Sequence, residues 1–473
     1  MQIFEKSIHF ANGAKVFMAE ENGVTFLYAE GDFGFAGEKT EVEGKAVVKA
    51  PLTHENACVL RKVFPFTAPI RVLGKERSFG VGDRLGIATP GHIEVFAGYD
   101  AYPVLAQQSM RELTLTNRTY EDVLDCVTFA TFRDNFTKGF GADGDHLKKA
   151  EDVRYALELG YTMITLDCSD HIRNDVAEMD DAAVAAAYTK NAAIEERYIG
   201  KSFDVGEGIT VSFDEAALRR IVLVYGKAIA FATSIYETFF KDGKYNADFE
   251  ISIDETLTPT TPLEHFFVAN ELTIAGVHFE TMAPRFCGEF QKGIDYIGDL
   301  KQFTEEMTVH SQIARHFGYK LSIHSGSDKF STFPIIGEKT RGIFHVKTAG
   351  TNWLEAMRVV AMVDPKLYRE IHAYALEAFD EATKYYHVTT DLSKIPALDT
   401  VSDADLPKYF DQNDARQLIH ITYGLILSRK NVDGSFTFRD KLYTLWKENE
   451  KTYTEALLRH IGKHLDLLGV QHA

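Results

Sequence analysis

The chain has 473 residues, 45% of them hydrophobic and 25% charged, with a formal net charge of −18. That is ordinary globular composition with enough apolar material for a large core, and the acidic excess argues against a nucleic-acid partner, because a phosphate backbone is repelled on average. No apolar run approaches the roughly 18 residues of a membrane span, and the opening MQIFEKSIHF lacks the basic start and apolar run of a signal peptide. The cytoplasm is therefore expected, with no membrane partner. Four cysteines, Cys58, Cys126, Cys168 and Cys287, form no CxxC pair, so neither a zinc ribbon nor a redox motif is indicated.

Residues 1–75 read as short strands and turns. AKVFMAEENG, VTFLYAEGD and GKAVVKAP alternate apolar and polar residues between glycines. From Ser78 the rhythm changes to strand, polar end, helix. The strands read as SFGVGDRLG, YPVLAQQS, TKGFGADGD, YTMITLDCSDH, DFEISIDET, GVHFETMAPR, YKLSIHSGSD and GIFHVKTAG. Eight such units within residues 76–387 predict an α/β protein, a closed (β/α)8 TIM barrel rather than an open sheet. One connection, about 175–245, is too long and carries two helical patterns, so it reads as a helical insertion. Residues 388–473 read as a C-terminal helical extension packed on the barrel.

Enzymes on this fold carry their sites at the C-terminal ends of the strands. Side chains alternate along a strand, so residues two apart share a face. His278 and Glu280 oppose Val277 and Phe279; Ser322 and His324 oppose Leu321 and Ile323; His345 and Lys347 oppose Phe344 and Val346; Ser252 and Asp254 share a face. Any one of these could be a satisfied core group. As a set they predict a polar ring at the barrel mouth, since unpaired buried charges each cost several kcal/mol.

His171, His324 and His345 lie near three strand ends, which suits a three-ligand catalytic metal site with an open position. His278 could replace any of them. No HxH or HExxH occurs, so barrel position carries this reading. Donors of this type suit a divalent cation such as Mn, Zn, Ni, Co or Fe, without choosing among them. Asp170 and Glu280 are favoured as an acid/base pair, with Glu255 next; which is acid and which is base stays open. Candidate substrate contacts are Arg84, Asp254, Glu255, Ser325, Asp328, Lys329 and Lys347. The run His324-Ser325-Gly326-Ser327-Asp328-Lys329 combines hydroxyls, a glycine and a lysine that can hold an anion. No dinucleotide fingerprint or Walker sequence appears.

GVGDRLGIATPGH, GFGADGDHLK, TLDCSDHI, HSGSDKFS and FHVKTAGTNWLEA resemble the tagaturonate epimerase family, from about Ser78 through Ala356. The resemblance implies a divalent-metal-dependent enzyme of hexuronate catabolism that interconverts D-tagaturonate and D-fructuronate. It implies Asp170 as proton acceptor, Glu280 as proton donor and His171, His324 and His345 as ligands. The partner is then a small sugar acid; a homo-oligomer is left open. The inverted carbon lies β to the ketone, so its hydrogen is not acidified by that carbonyl. Retro-aldol cleavage and re-addition fits, because transient oxidation would need a hydride acceptor. Three rivals stand: a neutral ketohexose 4-epimerase (fructose/tagatose), an aldose–ketose isomerase on the same barrel, and a non-catalytic sugar-acid binding protein.

Overall fold

A computed structural model of the chain describes residues 1–348 and 350–473. The chain opens with six antiparallel strands, Gln2–Ile3, His9–Ala11, Ala14–Glu21, Val24–Glu30, Glu38–Val42 and Lys45–Pro51. Asn22-Gly23 joins the third to the fourth with positive φ at both residues, 51° and 79°. That backbone belongs to the tight hairpin turn whose twist matches the strands it connects. Helix His54–Val63 follows, and Leu27, Leu60 and Phe64 pack against Phe129 and Phe132 of the barrel helix Tyr120–Arg133.

Eight parallel strands then close on themselves. They are β1 (Arg77–Gly80), β2 (Tyr102–Ser109), β3 (Gly141–Leu147), β4 (Met163–Asp167), β5 (Asp248–Ile253), β6 (Thr281–Pro284), β7 (Lys320–Ile323) and β8 (Phe344–Lys347). Each pairs with its successor, and β8 pairs with β1, His345 opposite Ser78. All eight strand positions expected from the sequence are filled, and helices flank them. The predicted alternation holds in β4, β5, β7 and β8. Ile164, Leu166, Phe249, Ile251, Leu321, Ile323, Phe344 and Val346 join the main apolar core. Between them Thr165, Glu250, Ser322 and His345 point into the barrel, all fully buried. A barrel this narrow is filled by side chains, and among these inward groups Thr165 Oγ1 donates to Glu250 Oε1 at 3.1 Å.

The sixth strand starts later than its sequence suggested. Val277–Glu280 is the approach to β6, not part of it. Glu280 donates its N–H to Phe249 O and its carboxylate accepts from Phe249 N at 2.8 Å, beside the start of β5. His278 and Glu280 therefore stand at the N-terminal end of the barrel, opposite the mouth.

Between β4 and β5, helices Asp181–Ala187 and Ala192–Tyr198 precede a hairpin, Ser202–Gly206 with Ile209–Ser212. The helical patterns gave no sign of this hairpin. Its turn runs through Gly206, Glu207 and Gly208, all at positive φ. A 25-residue helix, Glu215–Phe239, then packs on Pro262–Ile274 as the crossover to β5. After the β8 helix, Thr351–Val363, the chain runs on through Pro365–Ala382 to Asn413–Ile421, Tyr423–Ser428, Arg439–Glu448 and Glu450–Leu467. The last packs along Thr89–Ala97. Among the described residues no helix is long and apolar enough to cross a membrane.

Candidate active site

A cavity of about 520 Å³ opens at the C-terminal ends of the strands. One wall carries histidines and carboxylates. His146, Asp254 and His324 bring ligand atoms within 4.8 Å of one another. His146 belongs to the end of β3, Asp254 follows β5 and His324 follows β7. His324 Nε2 meets Glu250 Oε1 at 2.7 Å. That contact orients the ring and leaves Nδ1 facing Asp254, 3.2 Å away. Nδ1 is buried, close enough for charge attraction, yet has no hydrogen-bond partner among the described residues. His146 is held the same way, Nδ1 at 3.3 Å from Asp167 Oδ2. An imidazole braced by a carboxylate at one nitrogen offers the other as a metal ligand. Two such histidines and an aspartate at an open mouth form a donor set suited to Zn or another first-row divalent cation. The residues fit a metal.

The electrostatics agree. Burial alone would raise the Asp254 carboxyl, but His324 and His146 beside it hold it well below the ordinary range. Burial opposes charging of His146, yet Asp145, Asp167 and Asp254 raise its pKa to about 10. His324 is raised in the same way by Asp254 and Glu250. Protons on these rings offset a concentration of negative charge that a cation would neutralise.

The floor is a second polar knot. Lys347 Nζ donates to Asp143 at 2.7 Å, to Thr165 Oγ1 at 2.6 Å and to Asp145. Burial pushes the Asp143 carboxyl up to about 7, with Lys347 pulling it down and Asp145 and Glu250 pushing it further up.

Other lining residues are positive. Arg84, on the loop after β1, pairs with Glu112 at 2.9 Å. Lys292, on the loop after β6, donates to Ser325 Oγ at 3.0 Å. Both line the cavity.

The structure distributes the expected residues unequally. Arg84, Asp254, Glu255, Ser325, His324 and Lys347 all line the cavity. Asp170 sits at the rim, its side chain 64% exposed and held by Lys148 at 2.9 Å. His171 turns aside and stacks on Phe231, ring centroids 4.1 Å apart, outside the histidine cluster. His345 lies inside the barrel below the mouth, Nδ1 at 2.9 Å from Ser78 Oγ, with burial lowering its pKa to about 3. Glu280 is at the far end with Arg71. Asp328 pairs with Arg416 at 2.7 Å and His460 at 3.0 Å, and Lys329 donates to the backbone carbonyls of Gln291, Ile294 and Ser327. These two lock loops together rather than face the cavity. Sequence reasoning missed His146, Asp145, Lys292 and His420. The Asp145-His146 pair ending β3 was the available signal. The other two lie on a loop and a helix without a motif.

A sequence profile described as UxaE, tagaturonate epimerase, matches residues 4–468. The chain belongs to the tagaturonate epimerase family. A tagaturonate/fructuronate epimerase of Thermotoga maritima is 44% identical over 99% of this chain and 97% of its own. A glycerol-complexed crystal structure of the fructuronate–tagaturonate epimerase UxaE of Cohnella laeviribosi is 52% identical, with a TM-score of 0.96 over 99% of this chain and 97% of that one. Its native crystal form gives a TM-score of 0.95 at the same identity. As a member of this epimerase family the chain is an isomerase-class enzyme.

Proposed function

We propose that this tagaturonate epimerase family member interconverts D-tagaturonate and D-fructuronate in a metal-dependent reaction. The observation that carries the metal is the buried, unpartnered Nδ1 of His324, braced by Glu250 and facing Asp254 and His146. His146, Asp254 and His324 would hold a divalent cation, which supplies Lewis acidity at the sugar ketone when bound. The choice of substrate rests on the relatives' activity and on the cationic lining residues.

The chemistry we infer is retro-aldol. A base takes the proton of the hydroxyl on the stereocentre. The bond between that carbon and its ketone-side neighbour breaks, leaving an aldehyde fragment and an enediolate that keeps the bonding pair. The aldehyde rotates, the enediolate re-adds to its other face, and the proton is returned. Nothing is oxidised or reduced overall. Glu255 lines the cavity, and its nearest cation, Lys148, is 3.9 Å away; it is the carboxylate best disposed to take the proton. Lys148 also lines the cavity and is held by Asp170, which suits it to return a proton at the rim. Glu280 takes no part in this reading, because the whole barrel separates it from the cavity.

The test is an assay of metal-stripped protein with D-tagaturonate, with and without Mn²⁺, Zn²⁺, Co²⁺, Ni²⁺ or Fe²⁺, following D-fructuronate by chromatography. Metal-restored conversion is expected. A carbon isotope effect at the stereocentre, without a deuterium effect from its hydrogen, is expected for bond cleavage; the opposite pattern would sink the retro-aldol route.

A further inference from the structure

The cavity's positive lining contains a group that the reaction above does not use. His420, on helix Asn413–Ile421 of the C-terminal extension, lines the cavity and is 1% exposed. Neither of its ring nitrogens has a hydrogen-bond partner among the described residues. Polar atoms buried this deeply are nearly always paired, so two open nitrogens on one ring ask for a ligand. The fold makes room for this ring deliberately. A Cβ added at Gly350 would run into it, and one added at Gly293 would lie 2.7 Å from Nδ1.

Its neighbours are also incompletely used. Arg84 Nη1 is buried without a partner among the described residues, although Nε and Nη2 hold Glu112. Its guanidinium lies 4.1 Å from the ring centre of Tyr423, again from the extension. Among the described residues Lys292 donates only to the Ser325 hydroxyl. Burial lowers its pKa, and nearby Arg111 and Arg84 lower it further. Arg84 and Lys292 likewise add to burial in keeping His420 neutral. Arg84, Lys292 and nearby Arg111 outnumber the one paired carboxylate, Glu112, beside a neutral imidazole. That leaves an excess of positive charge and three unfilled nitrogen positions.

We infer that Arg84, Lys292 and His420 form the site that receives the substrate's carboxylate, and that His420 makes the C-terminal extension a determinant of specificity for sugar acids. This rests on the function proposed above and names the group it recognises. A six-carbon keto acid carries its ketone and its carboxylate near opposite ends of the chain. One cavity offers both a metal-suited cluster and a cationic one to these two groups. A guanidinium N–H and an ammonium donate charge-assisted hydrogen bonds to the carboxylate oxygens. The neutral imidazole adds a third donor without a third charge.

Two measurements test it. In the first, kcat/KM for D-tagaturonate is divided by kcat/KM for the neutral ketose D-tagatose. Lys292→Met and His420→Gln should each lower this ratio by about tenfold to a hundredfold, the range for losing a hydrogen bond to a charged group, and Lys292→Arg should restore most of it. An unchanged ratio in both variants overturns the inference. In the second, calorimetric titration compares D-gluconate with D-sorbitol, so that no turnover is needed. Wild-type protein should bind gluconate at least tenfold more tightly, and both variants should lose that margin. Equal binding of acid and polyol by the wild type also overturns it. A wild type that binds gluconate through these residues but leaves D-tagaturonate unchanged would refute the proposed reaction and keep the acid site. Circular dichroism and urea midpoints show whether His420→Gln is folded; if it is not, Lys292→Met and its arginine rescue decide.

Discussion

The two ends of the barrel use the same residue types to opposite effect. At the N-terminal end, Asp248 accepts from Arg71 Nε at 2.6 Å and Leu73 N at 2.8 Å. Glu280 accepts from Phe249 N, and Lys320 donates to Lys75 O at 2.6 Å and Ser78 Oγ at 3.0 Å. Each charge there has a protein partner. At the mouth, His324, His420 and Arg84 keep buried nitrogens open. A closed polar network holds strands together; an open one binds something else. Charge alone does not separate the two ends of this barrel, but the satisfaction of the charges named here does.

The largest expected effect comes from His324→Ala or His146→Ala. Either should abolish stoichiometric metal binding, measured by elemental analysis, and reduce kcat on the order of a thousandfold or more. Retention of both metal and rate would erase the distinction between the two ends. Glu255→Gln should lower kcat by about 10² to 10⁴, the usual span for a lost general base, with metal retained. Glu250→Gln touches His324, a proposed ligand, rather than the substrate, so metal affinity should weaken by about 10- to 100-fold. At the other end, Asp248→Ala should cost about 3 kcal/mol or more in urea unfolding, as for one partner removed from a buried pair, while the folded fraction keeps its kcat/KM within a few-fold.

One further effect concerns pH. His310 and His372 are kept neutral by burial, with pKa values near 3 and 4. In the unfolded chain each titrates near 6.5. Between those values the unfolded state binds more protons, so stability falls as pH drops from about 6.5 toward 4. A drop of a few kcal/mol by pH 4.5 is expected from the two together, at about 1.4 kcal/mol per pKa unit. Their replacement by asparagine should flatten the profile of urea midpoint against pH.

The barrel was legible because strand period and βα rhythm survive in a single sequence; all eight strands fall within the segments that the rhythm marked, although β6 starts late. The site was legible only where a residue's face follows from that alternation. His324, Asp254 and Lys347 obey it. His345 obeys it too, but pattern alone does not report depth, and the two residues from His345 to Lys347 separate the interior from the mouth. Glu280 failed because β6 begins at Thr281, four residues later than VHFE suggested. His146 follows Asp145 and by strict alternation should face away. Its backbone is left-handed, φ 53°, and the β3–β4 register shifts beside it. That irregularity turns the ring inward, and no periodicity predicts it. Lys292 and His420 enter from segments whose placement depends on tertiary packing, through Lys329 and Arg416, whose Nε donates to Gly293 O at 2.7 Å.

The pairing of β8 with β1 also has a consequence for synthesis. Ser78 and His345 meet across 267 residues of chain. While a ribosome is still making the intervening segments, the cylinder has a seam, with two sheet edges exposed and Lys347 absent from its acidic and hydroxyl partners. Closure demands one of the longest loops the chain can form, and such contacts arrive late. A nascent chain stopped at residue 340 should therefore bind no metal at the mouth and should adhere to chaperones, whereas one extended past residue 350 can shut the seam. The N-terminal sheet and its hairpins, made first and locally paired, can fold long before the enzyme exists.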